Sequence, residues 1–132
     1  MTYEVEKKCR TASALYCDYR DAGNFDLLSK LFLPDGVIDY NGVLYSGRRA
    51  IAEFVKSRAG APTFHHQSFI RFSEISDGSI EAESRILVFT EPLDEQAGIG
   101  RLLVAASYYD KFSEHGSDWL FEERRIRSVA LK

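Results

Sequence analysis

Long apolar runs are missing from this sequence. The longest, Leu102 to Ala106, has five residues, against the roughly 20 that a helix needs to cross a bilayer, so no membrane span is expected. The opening MTYEVEKKCR carries charges where a secretory leader has an apolar stretch of about 7 to 15 residues, which makes a cytoplasmic location the expectation. Cysteine is scarce. Cys9 and Cys17 fall on one predicted helix about 12 Å apart, beyond the roughly 7 Å that a disulfide tolerates between Cα atoms, and they read as reduced packing residues. A basic excess is also lacking: 17 Lys and Arg stand against 20 Asp and Glu, a net charge of −3. A surface that tracks phosphates needs a basic stripe, so nucleic acid is not an expected partner.

The usual cofactor signatures are absent as well. No H-x-x-x-H, C-x-x-C or clustered carboxylate spacing occurs, and His115 stands apart from the other two histidines, so no metal site is expected. Gly98 and Gly100 are not followed by a helical pattern, which argues against a phosphate-cradling loop and a nucleotide cofactor. No elbow motif presents a serine or cysteine nucleophile, which leaves covalent catalysis without support.

What the 132 residues do contain is the makings of a packed core: 45% are hydrophobic, 28% charged, and only 3 are Pro and 9 Gly. That length corresponds to one domain, residues 1–132. Apolar positions Val5, Cys9, Ala12, Tyr16 and Tyr19 recur at helical spacing and predict a first helix over residues 3–22, stopped by Gly23. Asn24 caps a predicted short second helix reaching Phe32, which Pro34-Asp35-Gly36 then breaks. Asn41-Gly42 between Val37–Tyr40 and Val43–Tyr45 is a strong hairpin signal, because both turn positions need positive φ. A third helix is predicted over residues 48–58, with Ile51, Phe54 and Val55 inward. Four long strands follow: 63–75, 79–91, 99–112 and 119–131, with a loop around Pro92 to Gly98. Helices first and an antiparallel meander after make an α+β fold, a curved antiparallel sheet wrapped around N-terminal helices, with a hollow at its mouth.

The stretch Tyr19 to Gly42, with its D-L-L-x-x-L-F-x-P-D segment from Asp26 to Asp35, the G-R-R-A-I opening of the third helix at Gly47, a histidine on the strand that follows that helix, and the closing W-x-F-x-x-R-R from Trp119 together resemble the SnoaL-like branch of the nuclear transport factor 2-like superfamily. The resemblance covers nearly the whole chain and implies a cone-shaped α+β barrel. Its nearest branch holds scytalone dehydratase and hexachlorocyclohexane dehydrochlorinase. The Asp–His pair of those enzymes falls on Asp21 and His65, and a substrate-contacting tyrosine of the dehydratase falls on Tyr40. Thr90, Ala106 and Tyr108 stand where the dehydratase has its second histidine and a Ser and Asn pair, so the chain departs from scytalone dehydratase itself.

Read without the family, Asp21 lies in the last helical turn, where the dipole's negative end disfavours a carboxylate. His65 and His66 are strand neighbours, so only one faces the hollow. Alternation groups His66 with Phe64, Ile70 and Phe72 and so favours His66 inward. The family match favours His65, and the two agree only if a bulge lies between His65 and Ile70. Among the aromatics, Tyr108, Phe69 and Tyr16 are the expected substrate contacts. Arg124, Arg125 and Arg127, with Glu122 and Glu123, read as a cross-strand charge ladder on an exposed or dimer-facing surface.

The function expected from these readings is that of a cofactor-free lyase or isomerase, dehydratase-like, acting on a small apolar cyclic molecule. His65 takes a proton from carbon, Asp21 orients the imidazole, and Tyr40 supports the developing oxyanion. A non-catalytic ligand-binding or dimerisation module of the same fold, and a polyketide-cyclase-like enzyme with an Asp base, remain open alternatives. The resemblance and the long exposed strands make a homodimer the expected assembly.

Overall fold

The computed structural model describes residues 1–60, 62–90 and 100–129. Helix α1 (Tyr3–Ala22) begins where the Thr2 hydroxyl accepts a hydrogen bond from the Val5 N–H, and it ends at Gly23, whose φ of 78° supplies the left-handed cap. Its stripe buries Cys9, Ala12, Ser13, Tyr16 and Cys17. The second helix, α2 (Phe25–Ser29), is shorter than the sequence suggests. Phe32 instead opens strand β1 (Phe32–Tyr40), and Pro34, Asp35 and Gly36 lie inside that strand.

The strand tolerates them because its pairing is interrupted there, the register shifting between Phe32 and Val37. Gly36 makes this kink possible by lack of a side chain. A Cβ at this position would stand 3.0 Å from the Leu33 carbonyl oxygen and 3.1 Å from that of Phe121. Asn41 and Gly42, at φ 51° and 93°, form the expected turn into β2 (Val43–Ser46). Helix α3 (Arg48–Ser57) buries Ile51, Phe54 and Val55, the face its pattern announced.

Strands β3 (Thr63–Ser76), β4 (Ser79–Thr90), β5 (Leu102–His115) and β6 (Asp118–Ser128) form the meander. The expected loop at Pro92–Gly98 and the expected strand ends at Glu91, Ile99 and Leu131 lie outside the described residues. The sheet order is β2-β1-β6-β5-β4-β3. All its pairings are antiparallel except β1 with β6, which run parallel. The sheet is curved and unclosed, and α1 packs on both the edge strand β3 and the interior strand β6. At the centre Phe121 stacks between Phe32, 4.9 Å away, and Phe112, 4.5 Å away, all three fully buried. Each such ring contributes about 1.5–3 kcal/mol of burial, and together they fix the floor on which the site is built.

Candidate functional site

The edge strand β3 resolves the choice of histidine. Its ladder with β4 runs from Thr63↔Thr90 to Phe69↔Ser84 and then resumes at Arg71↔Glu83, one residue out of step. The extra residue exchanges the two faces of the strand, so His65 and Gln67 before the bulge share the inner face with Phe72 after it. His66 points outward and is exposed, as is Phe64. Plain alternation thus fails for this strand, and its failure has a local cause.

His65 lies against Asp21, and its side chain is 6% exposed against 23% for the carboxylate. The ring Nδ1 contacts Asp21 Oδ1. Two further groups hold the same carboxylate: the Thr63 hydroxyl donates to Oδ1 at 2.9 Å, and the His65 backbone N–H donates to Oδ2 at 2.9 Å. The last turn of α1 is therefore fastened to the start of β3 through one side chain. Thr63 and His65, two apart, share a face of the strand, and T-x-H was the signal that sequence reasoning passed over. Burial holds the His65 imidazole below the ordinary histidine value of 6.5, outweighing the upward pull of Asp21, and the cations Arg20 and Arg124 add to the lowering. The ring is consequently neutral at pH 7, with Nδ1–H donating to Asp21 and Nε2 left as the unprotonated nitrogen.

His65 forms part of the wall of a cavity of about 230 Å³ between α1, α3 and the curved sheet. Tyr16, Tyr40 and Tyr108 line it with His65, and its apolar wall includes Phe54, Ile86, Val88 and Ile126. Burial pushes the Tyr16 and Tyr108 phenols up, Tyr108 well above the usual value, so both remain protonated. The Tyr40 hydroxyl accepts a hydrogen bond from the Arg58 guanidinium at 2.7 Å, a contact that does not use its own O–H. Asp21 stands behind His65, outside the lining. Phe69 is not in the cavity: it lies 5.3 Å from Phe72, with the Arg10 guanidinium over both rings, because its place next to the bulge faces the far end of α1. That corrects the expectation of a substrate contact there.

Arg124 is a second correction. It is fully buried, away from any surface ladder, and holds Asp110 through two contacts of 2.8 and 2.9 Å. Its guanidinium donates to the Ser13 hydroxyl at 2.7 Å and lies 4.3 Å from the Tyr16 ring centroid and 4.0 Å from that of Tyr108. Asp110 keeps Arg124 charged, raising it above its ordinary value. Gln67 extends the network, its amide donating to Ser13 and Ser84 at 2.8 and 2.9 Å while the Cys17 thiol donates to its oxygen. A run of alternating strand residues cannot announce such a cluster, because its members come from α1, β3, β4, β5 and β6. Arg127, by contrast, is a half-exposed partner of Asp39 at the sheet's outer side.

Both cysteines are free and buried, and burial pushes Cys9 up to about 12 and Cys17 up to about 11, so neither serves as a thiolate at neutral pH. Among the described residues no three His, Cys, Asp or Glu side chains cluster as metal ligands, and no helix is long and apolar enough to cross a membrane.

Residues 2–125 match the family model of the SnoaL-like domain. No curated protein matches the chain. Among solved structures, ActVI-ORFA from Streptomyces coelicolor is similar with a TM-score of 0.86 at 17% identity, covering 99% of each chain. An NTF2-like protein with a cystatin-like fold from Novosphingobium aromaticivorans has a TM-score of 0.83 at 18% identity, over 98% of this chain and 84% of that one. A scytalone-dehydratase-like protein from the same organism has a TM-score of 0.79 at 20% identity, over 95% of this chain and 84% of that one.

Proposed function

The chain belongs to the SnoaL-like domain family, and from that premise we propose that its cavity is the active site of a cofactor-free lyase or isomerase acting on a small cyclic molecule. The observation that carries this reading is the pair of buried His65 and half-buried Asp21, with His65 in the wall of a half-open, largely apolar hollow. A neutral imidazole whose Nδ1 is committed to a carboxylate presents Nε2 as a general base, in the tautomer that proton abstraction needs. His65 takes a proton from carbon beside an activating carbonyl, and Asp21 stabilises the imidazolium that forms. The electron pair either expels a leaving group from the neighbouring carbon or shifts the double bond. The imidazolium then returns its proton to the leaving group or to the product. Tyr40 and Tyr108 place phenol hydroxyls suited to donate to the developing oxyanion, in a hollow where each hydrogen bond counts for more than in water.

The Asp21 carboxylate is a poorer base here. Both of its oxygens are already occupied by β3 donors, and it does not line the cavity. Incubation with cyclic β-hydroxyketones in deuterated water tests the reading, with solvent exchange at the acidic carbon followed by NMR. Exchange catalysed by the wild-type chain and abolished in His65→Ala supports it. Equal exchange in both overturns it and leaves a ligand-binding module.

A further inference from the structure

Among the described residues the charged side chains of the cavity wall are not balanced: besides His65, Arg20 and Arg58 line the hollow, and none of the carboxylates described does. Arg20 is in the last turn of α1 and Arg58 caps the end of α3, so two helix C-termini bring two guanidinium groups to one rim. Arg20 donates to the Arg58 carbonyl at 3.1 Å. Arg58 donates to the Tyr40 hydroxyl at 2.7 Å, with its guanidinium carbon 4.4 Å from that ring's centroid. Each contact uses one of the five N–H groups of a guanidinium, and among the described residues neither arginine forms an ion pair with a carboxylate. Asp21, the acid adjacent to Arg20 in the chain, is committed to Thr63 and His65.

Apolar walls and a doubly cationic rim together specify an amphiphilic ligand. We infer that Arg20 and Arg58 form an anion subsite that receives a carboxylate on the substrate, so that the cavity selects a cyclic carboxylic acid over its neutral counterpart. The guanidinium fork matches a carboxylate in geometry as well as charge, and the apolar wall takes the ring. Arg58 also couples the subsite to Tyr40, since engaging a carboxylate fixes the guanidinium that orients the phenol. This deepens the proposed function and rests on it only for the word substrate, because the charge selectivity is read by binding alone.

Calorimetric titration with 2-naphthoate and its neutral isostere 2-naphthamide at low ionic strength provides the test. Naphthoate binds about tenfold or more tightly than the amide, the order expected for charge-assisted hydrogen bonds, and the difference shrinks as salt is added. Arg20→Gln and Arg58→Gln each remove most of that preference, lowering naphthoate affinity far more than naphthamide affinity, a result that a purely structural role does not give. His65→Ala keeps the preference. Preference retained with no exchange activity in the wild-type chain therefore overturns the catalytic reading and leaves the subsite standing. Equal affinity for the two probes, no naphthoate binding at millimolar concentration, or parallel losses of both probes in the arginine variants overturns the subsite itself.

Discussion

The carboxylate of Asp21 holds His65 at both ends, taking the backbone N–H on Oδ2 and the ring Nδ1 on Oδ1. Backbone and ring are thus referenced to the same group, and the imidazole has little freedom left in χ1 or χ2. Preorganisation of this kind is what lets a weak base act without spending substrate-binding energy on its orientation. It also makes the two side chains of the pair separable by experiment.

His65→Ala removes the base and is expected to lower turnover by about 10²–10⁴-fold, the range that a positioned general base contributes. Asp21→Asn keeps an oxygen for the β3 donors but loses the charge that fixes the tautomer, and a loss of similar order is expected. Thermal midpoints within a few degrees of wild type accompany both. Unfolding of both variants in circular dichroism would mark the pair as structural instead.

The pH dependence follows from the lowered pKa of His65. A base must be unprotonated, so kcat/KM rises with pH along a limb whose midpoint lies below 6.5 and is flat above it until another group titrates. Stability carries the same sign. Below pH 6.5 the unfolded chain takes up the proton before the folded one does, so this residue's share of stability is present above that pH and is lost as pH falls through the folded value. A rate limb centred above 6.5 would contradict a buried His65 base.

Much of this was legible along the chain, and what was not has a definable reason. The stripe of α1, the Asn41-Gly42 turn and the inward face of α3 are local, and each follows from spacing or from required φ values. The place of Asp21 and His65 came through family resemblance, and their contact depends on a bulge that strand periodicity cannot foresee. Local signals put Phe32 in α2 and a break at Gly36, yet Phe32 and Val37 both pair with β6, some ninety residues later, and carry the strand across the interruption between them. Arg124 is the deepest omission. A side chain flanked by Glu122, Glu123 and Arg125 reads as solvated, and only its partners on other elements show it to be core.

That buried pair gives a stability prediction. Asp110→Asn leaves the Arg124 cation in the core without its counter-charge, and such a break costs about 3–5 kcal/mol. Denaturant titration should move by that amount. The double variant Asp110→Leu with Arg124→Met should recover most of it, because two apolar side chains need no partner. It should still lose activity, since the guanidinium no longer lies against Tyr16 and Tyr108.

Gly36→Ala tests the kink in β1. A Cβ there meets backbone oxygens of Leu33 and Phe121 at 3.0 and 3.1 Å, neither of which swings aside, so a loss of about 1–3 kcal/mol is expected. A change under about 0.5 kcal/mol, the level of an ordinary surface substitution, would show that the strand adjusts freely.

Gln67 offers the cleanest test of positioning, because it touches neither the cavity nor the dyad. Its amide bonds to Ser13 on α1 and Ser84 on β4, and its oxygen receives the Cys17 thiol. Ser13 and Cys17 precede Asp21 on α1 by two turns and one, and Gln67 follows His65 by one inner-face position on β3. These contacts set how α1 sits on β3, and hence how Asp21 meets His65. Gln67→Met preserves volume and removes the polar link, leaving the Ser84 hydroxyl buried. A loss of about 1–3 kcal/mol in stability is expected from the orphaned groups, together with a fall in kcat of about tenfold or more at nearly constant KM, since misplaced catalytic groups weaken the transition state without weakening binding. Recovery of stability by Gln67→Glu relative to Gln67→Met, read by denaturant titration at a pH low enough to protonate the glutamate, separates a hydrogen-bonding role from one of bulk. A KM change with kcat intact would instead place Gln67 in substrate binding and remove it from the support of the dyad.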